Sequence, residues 1–285
     1  MAMKGVLIRI RQYRAHASGA EHGALDFILE NPEQAAQMNI HELAIASFSS
    51  SSTLVRLCRK LGFEGYRDFQ KSLIYELANR KDVGKQLPDS SKVQTLSDII
   101  DSVSARNIAS IEDTSRLVEQ TALAESVELL HKADRILFFG MGASYLVADD
   151  AFLKFMRVGK TCFCCEDVHS QYVLATNSDP HCVAVIISYS GMTDEMLHCA
   201  GALSANGTPI IAITKFETSP LAKLATCCLY VAASEELFRS GAMSSRIAQL
   251  NMIDILFSAY INTDNHSEII HLLEKTQIKK TPVPR

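Results

Sequence analysis

From Leu25 to about Arg80, apolar residues recur at helical spacing in short stretches parted by turn residues, and no β-branched run is long enough for a strand. The pattern predicts an all-helical N-terminal part. Lys81–Ser91, with Gly84 and Pro88, breaks the periodicity and reads as a linker. Beyond it, Leu96, Ile99, Ile100, Val103, Ile108 and Ile111 predict one or two amphipathic helices whose apolar stripe suits a neighbouring domain or a dimer. From Arg135 onward five short apolar runs alternate with helical or turn-rich stretches: Ile136–Phe139, Thr161–Cys165, Val183–Ser188, Ile210–Thr214 and Cys227–Val231. That alternation predicts a parallel five-stranded α/β sandwich. The expected division is a helical domain over 1–80, a linker with connecting helices over 81–119, and an α/β domain over 120–285.

Within the helical part, Asn39 and Glu42 fit a capping box, Ser47–Ser50 supply a turn, and Ser50 or Ser51 can cap a second helix that ends at Gly62. Around that helix Leu54, Cys58 and Leu61 share one face, while Ser52, Arg56, Arg59 and Lys60 gather on the other. A helix seated in the major groove of DNA needs this division, because arginine bonds guanine bidentately while serine and lysine hold phosphates. The candidate DNA-facing set is Ser51, Ser52, Thr53, Arg56, Arg59 and Lys60. A solvated basic face on a surface helix is the plainer alternative, and the turn and caps weigh against it.

In the α/β part, open parallel sheets bind ligands just past the carboxyl ends of their strands. The first strand runs into Gly140-Met141-Gly142-Ala143-Ser144, a tight turn with a hydroxyl at a helix start. Tyr145 stands where a dinucleotide fingerprint would carry its third glycine, although Glu166 or Asp167 after the second strand still suits a ribose. The third strand ends in Ser188-Tyr189-Ser190-Gly191-Met192-Thr193, where hydroxyls and backbone N–H groups converge at a helix start and suit a phosphoryl group. Capping alone requires fewer hydroxyls than these. His169, beyond Asp167, is a candidate partner for a sugar hydroxyl.

Charge sharpens the division. Up to residue 81 there are 11 basic and 8 acidic residues, and beyond it 17 and 24, so an N-terminal excess of +3 faces a deficit of −7 within a net charge of −4. With 285 residues, 47% hydrophobic and 21% charged, the chain suits two modest cores. It has neither a signal-peptide pattern nor an apolar run of the roughly 18 residues that span a bilayer, so a cytoplasmic protein with no membrane partner is expected. Eight cysteines are scattered through the chain, and the C-x-x-C of Cys162 and Cys165 falls in an expected strand that sends them to opposite faces, so reduced thiols and no metal site are expected.

The run Ser52-Thr53-Leu54-Val55-Arg56-Leu57-Cys58-Arg59-Lys60-Leu61-Gly62-Phe63, followed by Gly65-Tyr66 and Phe69, resembles the RpiR/MurR family of bacterial regulators, and nearly the whole chain can be laid against it. Many members carry a Gly and an aliphatic residue where this chain has Phe48 and Ser49. Over roughly 120–265 the chain is similar to SIS domains, the sugar-phosphate isomerase and binding fold; Gly142 and Ser144 match its first loop, and Ser188, Ser190 and Thr193 its phosphate-holding hydroxyls. The resemblance implies an N-terminal helix-turn-helix, palindromic operator DNA, a homodimer or higher homo-oligomer, and a phosphosugar effector bound by Gly142, Ser144, His169, Ser188, Ser190, Gly191 and Thr193. Asp167-x-His169 is similar to the amino-sugar-sensing branch, which implies an N-acetylhexosamine 6-phosphate and a repressor of sugar or amino-sugar catabolism. No cofactor and no catalytic residue are expected. The competing readings are an SIS-type aldose–ketose isomerase with Glu235 or His169 as base, and a nicotinamide-dependent redox regulator.

Overall fold

The computed structural model describes residues 5–14, 16–78, 95–232, 242–262, 272, 275 and 276. The linker Lys81–Ser91 and Glu235 lie outside the described residues. The chain divides into two compact units, Met1–Leu117 and Val118–Arg285.

The first unit is helical: α1 (Val6–Arg14), α2 (Gly19–Glu30), α3 (Pro32–Gln37), α4 (Ile40–Ala46), α5 (Ser51–Lys60), α6 (Tyr66–Ala78) and α7 (Leu96–Leu117). Its core joins Val6, Ile10, Leu25, Ile28, Leu43, Leu54, Leu57, Phe69 and Leu73. The apolar periodicity that begins at Leu25 does not reveal α1, because Arg9, Arg11 and Arg14 interrupt its apolar residues. Arg9 is nonetheless buried: its guanidinium donates to the Leu61 carbonyl at 3.2 Å, at the end of α5. An arginine that satisfies a helix-terminal carbonyl gains both a hydrogen bond and the favourable end of the dipole. The expected connecting helices are a single helix of 22 residues, α7, whose Leu96, Ile99, Ile100, Ile108 and Ile111 are exposed.

The second unit runs α8 (Gln120–Lys132), β1 (Arg135–Gly140), α9 (Ala143–Arg157), β2 (Thr161–Cys164), α10 (Val168–Thr176), β3 (Cys182–Ile187), α11 (Asp194–Ala205), β4 (Ile210–Lys215), α12 (Pro220–Leu224), β5 (Cys227–Val231) and α13 (Met243–Ile261). The five strands are parallel in the order β2-β1-β3-β4-β5. Alternate strand residues enter two cores. Ile136, Phe138, Val183, Val185 and Ile187 pack with α8, α9 and α13, while Leu137, Phe139, Ala184 and Ile186 pack with α10, α11 and α12. A sheet buried on both faces needs apolar residues in both phases, which is why these strands read as unbroken apolar runs.

The chain leaves β1 for β2 on one side and returns to β3 on the other, so a crevice opens past the carboxyl ends of β1 and β3. β2 pairs with β1 only as far as Phe138↔Cys164, whereas β3 follows β1 to Gly140↔Ile187. The buried side-chain amide of Gln171 completes the missing edge: it accepts from Gly140 N at 3.2 Å and donates to the Gly140 carbonyl at 3.0 Å. This fixes the last residue of β1 where a strand no longer can.

Candidate functional site

Two surfaces carry the candidate residues, one in each unit. In the first, α4 and α5 form the helix-turn-helix. Asn39 Oδ1 accepts from His41 N and Glu42 N at 2.9 and 3.1 Å, and Glu42 Oε2 accepts from Asn39 N at 2.8 Å, the reciprocal box that Asn39 and Glu42 predict. Ser50 is the cap of α5, its hydroxyl accepting from Thr53 N at 3.1 Å. Leu54, Leu57, Cys58 and Leu61 are buried, and Ser52, Arg56, Arg59 and Lys60 are exposed.

The candidate set divides. Thr53, a member of the candidate DNA-facing set, is buried: it is 8% exposed, and its hydroxyl lies 2.9 Å from that of Ser50, because the third residue of a capped helix turns back toward its cap. Ser51 is half-buried with its hydroxyl 3.2 Å from His41 Nδ1. Lys60 is exposed but engaged, donating to Glu21 Oε1 at 2.7 Å. Burial alone would push the Glu21 carboxyl up, yet hydrogen bonds from Lys60 and from the backbone and hydroxyl of Ser18 outweigh it and bring it down to about 2. The ammonium of Lys60 therefore balances a buried carboxylate, leaving Ser52, Arg56 and Arg59 as the outward set. Phe48, in the turn between α4 and α5, adopts φ +51°, a left-handed conformation that glycine takes without strain.

In the second unit, a cavity of about 200 Å³ opens at the carboxyl ends of β1 and β3, lined in part by Met141, Ser144, Ser188, Tyr189, Ser190, Thr193 and Ser245. Gly142 (φ +55°) leads into α9, and a Cβ on Gly140 would stand 2.6 Å from the Ser144 carbonyl, so the turn after β1 is held tight against the first turn of that helix. The Ser144 hydroxyl meets the side-chain amide of buried Gln249, whose Nε2 lies 3.1 Å away. In the loop after β3, Ser188 and Thr193 hydroxyls lie 3.4 Å apart, and the Ser190 hydroxyl accepts from Met192 N at 3.2 Å. Thr193 caps α11 by position but makes no side-chain capping bond, so its hydroxyl is not consumed by the helix. Gly191 (φ +61°) is fixed by packing: a Cβ there would come 2.3 Å from Ser219 Oγ and 2.7 Å from Ser219 Cβ. The Tyr189 carbonyl accepts from Lys215 N at 2.9 Å and Thr214 Oγ1 at 3.1 Å, which binds the loop to the end of β4.

Of the seven predicted ligand residues, Ser144, Ser188, Ser190 and Thr193 line one cavity, and Gly142 and Gly191 shape its two loops. His169 does not join them. It is exposed at the start of α10, whose cap is Asp167, accepting from Ser170 N at 2.9 Å, and it follows the edge strand β2 rather than the strands that bound the crevice. Sequence reasoning missed Ser245, Gln249 and Gln171. No local motif marks them; they arrive from α13 and α10 through the packing of the sandwich. All eight cysteines are free, and burial pushes the thiols of Cys58, Cys162, Cys164 and Cys227 up to about 12, which leaves them protonated near neutrality. No described helix is long and apolar enough to cross a membrane.

Residues 4–80 match the helix-turn-helix domain of the rpiR family, and residues 129–259 match the SIS domain. An HTH-type transcriptional regulator of Caldanaerobacter subterraneus is 34% identical over 274 residues, 96% of each chain, and the regulator HexR of Pseudomonas aeruginosa is 32% identical over 257 residues, 89% of this chain and 88% of that one. Among solved structures, the Vibrio vulnificus NanR protein complexed with ManNAc-6P is 29% identical with a TM-score of 0.59, covering 95% of this chain and 96% of that one. The sugar isomerase domain of an RpiR transcription factor from Sphaerobacter thermophilus shares the fold of the second unit, with a TM-score of 0.57 over 64% of this chain and 98% of that one at 18% identity. The chain thus belongs to the rpiR family of helix-turn-helix transcriptional regulators, with an SIS domain behind its DNA-binding unit.

Proposed function

We propose that this regulator represses genes of sugar or amino-sugar catabolism, that its SIS cavity holds the phosphoryl group of a sugar phosphate, and that Ser52, Arg56 and Arg59 of α5 read a palindromic operator. The observation that carries the effector reading is the hydroxyl set itself. Ser188, Ser190 and Thr193 converge on one cavity at the start of α11, and the Thr193 hydroxyl is not spent on capping. Neutral donors at a helix start suit an anion. An N-acetylhexosamine 6-phosphate is the preferred class, supported by the likeness to the NanR protein solved with ManNAc-6P. The exposed apolar stripe of α7 supports a homodimer, in which two copies of α5 would meet two half-sites.

Effector and operator are then linked through the relative affinities of the ligand for two arrangements of the dimer, a coupling of ~1–3 kcal/mol in systems of this kind. The test is calorimetry with a panel of hexose and hexosamine 6-phosphates on the full chain, paired with promoter gel shifts. Ser190→Ala is expected to weaken the preferred sugar phosphate about tenfold, the loss of one phosphate hydrogen bond of ~1.5 kcal/mol, with unliganded DNA binding intact. Equal affinity in the variant, or no sugar phosphate that changes promoter occupancy, overturns the reading.

A further inference from the structure

The proposed operator contact leaves one part of the helix-turn-helix unexplained. His41 and Ile45 on α4 and Phe48 in the turn follow one another at i, i+4 and i+7, and all three are exposed, Ile45 by 77% and Phe48 by 99%. The contact between His41 Nδ1 and the Ser51 hydroxyl, at 3.2 Å, joins this ridge to the first turn of α5. The head of the ridge thus adjoins the first turn of α5, which also carries Ser52, and none of His41, Ile45, Phe48, Ser51, Ser52 and Arg56 carries a carboxylate to repel a polyanion.

Phe48 is unfavourable in the isolated protein on two counts. Its ring is fully in water, and its backbone holds φ +51°, where a bulky L-residue is strained and glycine is not. An aromatic side chain kept at such a point gains from a contact that the isolated protein does not contain. In the major groove the exposed apolar group is the C5-methyl of thymine, which phenylalanine can contact.

We propose that Phe48 is a specificity-determining residue that packs on a thymine methyl at the edge of each half-site, flanked by Ile45. The proposal rests on the reading of α5 as the helix that enters the groove.

The test selects duplexes from a randomised pool with the full chain, then replaces each thymine of the selected site in turn by deoxyuridine, which removes the methyl and keeps the base pair. Wild type, Phe48→Gly, Phe48→Ala and Arg56→Ala are titrated on the series. In wild type, one thymine per half-site is expected to lose roughly fourfold in affinity when demethylated, the worth of one buried methyl group. Phe48→Gly, whose backbone suits the turn, should bind the intact site that much more weakly and be indifferent to the same methyl. Arg56→Ala should bind weakly yet keep the methyl dependence. If wild type tolerates deoxyuridine everywhere while Arg56→Ala still loses affinity, the role of Phe48 is overturned and α5 stands. If no sequence is enriched, or Arg56→Ala and Arg59→Ala bind as wild type does, α5 fails as the reader and this proposal with it. A change of solution mass in both Phe48 variants, with methyl dependence absent in wild type, would assign the ring to a second copy of the chain instead.

Discussion

On α5 the outward residues are charged and exposed, Arg56 and Arg59 beside Ser52, whereas the SIS cavity is lined by Ser144, Ser188, Ser190, Thr193 and Ser245 with no basic side chain among its described lining residues. Both surfaces suit anions, but of different kinds. A polyanion presents many charges along an exposed backbone, so mobile cations in water gain by displacing its counterions. A single phosphoryl group in a crevice is better met by fixed hydroxyls and N–H dipoles, which need no buried counter-charge. Rigidity follows the same division. The loop after β3 is tied down through Gly191, Tyr189, Thr214 and Ser219, while the turn before α5 leaves Phe48 in solvent.

Salt should separate the two surfaces most sharply. Between roughly 50 and 200 mM salt, operator affinity is expected to fall on the order of a hundredfold, as for a dimer neutralising about four phosphates. Sugar-phosphate affinity measured by calorimetry should fall by less than about threefold, because screening acts weakly on neutral donors. Parallel slopes would erase the contrast.

Next in size is the rigidity of the cavity loop. Gly191→Val forces a side chain into Ser219 from a left-handed backbone, and a loss of about 3 kcal/mol is expected in urea unfolding of the second unit's transition. Gly142→Ala meets nothing within 4 Å and should cost about 1 kcal/mol, from its φ of +55° alone. Similar losses at both positions would show that the contact with Ser219 is not what holds the loop.

In the helical unit the corresponding internal anchor is electrostatic. Folding lowers the Glu21 carboxyl to about 2 from an ordinary 4.5, so its stabilisation is complete above the ordinary value and is lost as pH falls toward 2. Lys60→Met should cost about 1 kcal/mol at pH 7, a modest figure because the Lys60 side chain is 50% exposed. The difference from wild type should shrink as pH drops from 4.5 to 2. A constant difference across that range would assign the loss to the contact of the lysine ammonium with the Tyr13 ring, 5.8 Å away, rather than to the carboxylate.

The smallest effect has the opposite sign. Phe48→Gly relieves the left-handed turn, and the ring it removes is fully exposed and so contributes no burial, so thermal unfolding should show a gain of about 0.5 kcal/mol. A loss would mean that the ring is packed in solution.

Much of this is legible in the sequence because it is local. Asn39 with Glu42 fixes the start of α4, and the apolar runs mark the strands, most plainly β1, β3 and β4, since a strand buried on both faces must be apolar in both phases. The Ser188–Thr193 loop is a short segment whose hydroxyls need only one turn to converge. Thr53 and Lys60 were less legible. A helical projection shows direction, not partners, and Ser50 and Glu21 claim these two side chains from a cap and from a helix 39 residues away. His169 does not line the cavity, because sequence adjacency to a strand end does not say whether that strand borders the crevice.

By itself the sequence determined the two kinds of unit, the caps and the two polar loops, all of which depend on residues within a few positions of one another. Only the tertiary structure decided that β1 and β3 are neighbours, that Gln171 completes the edge β2 leaves open, and that Gln249 meets Ser144 across 105 positions. Strand order is set by how helices pack on both faces of the sheet, a sum over many long-range contacts that no single stretch of sequence contains.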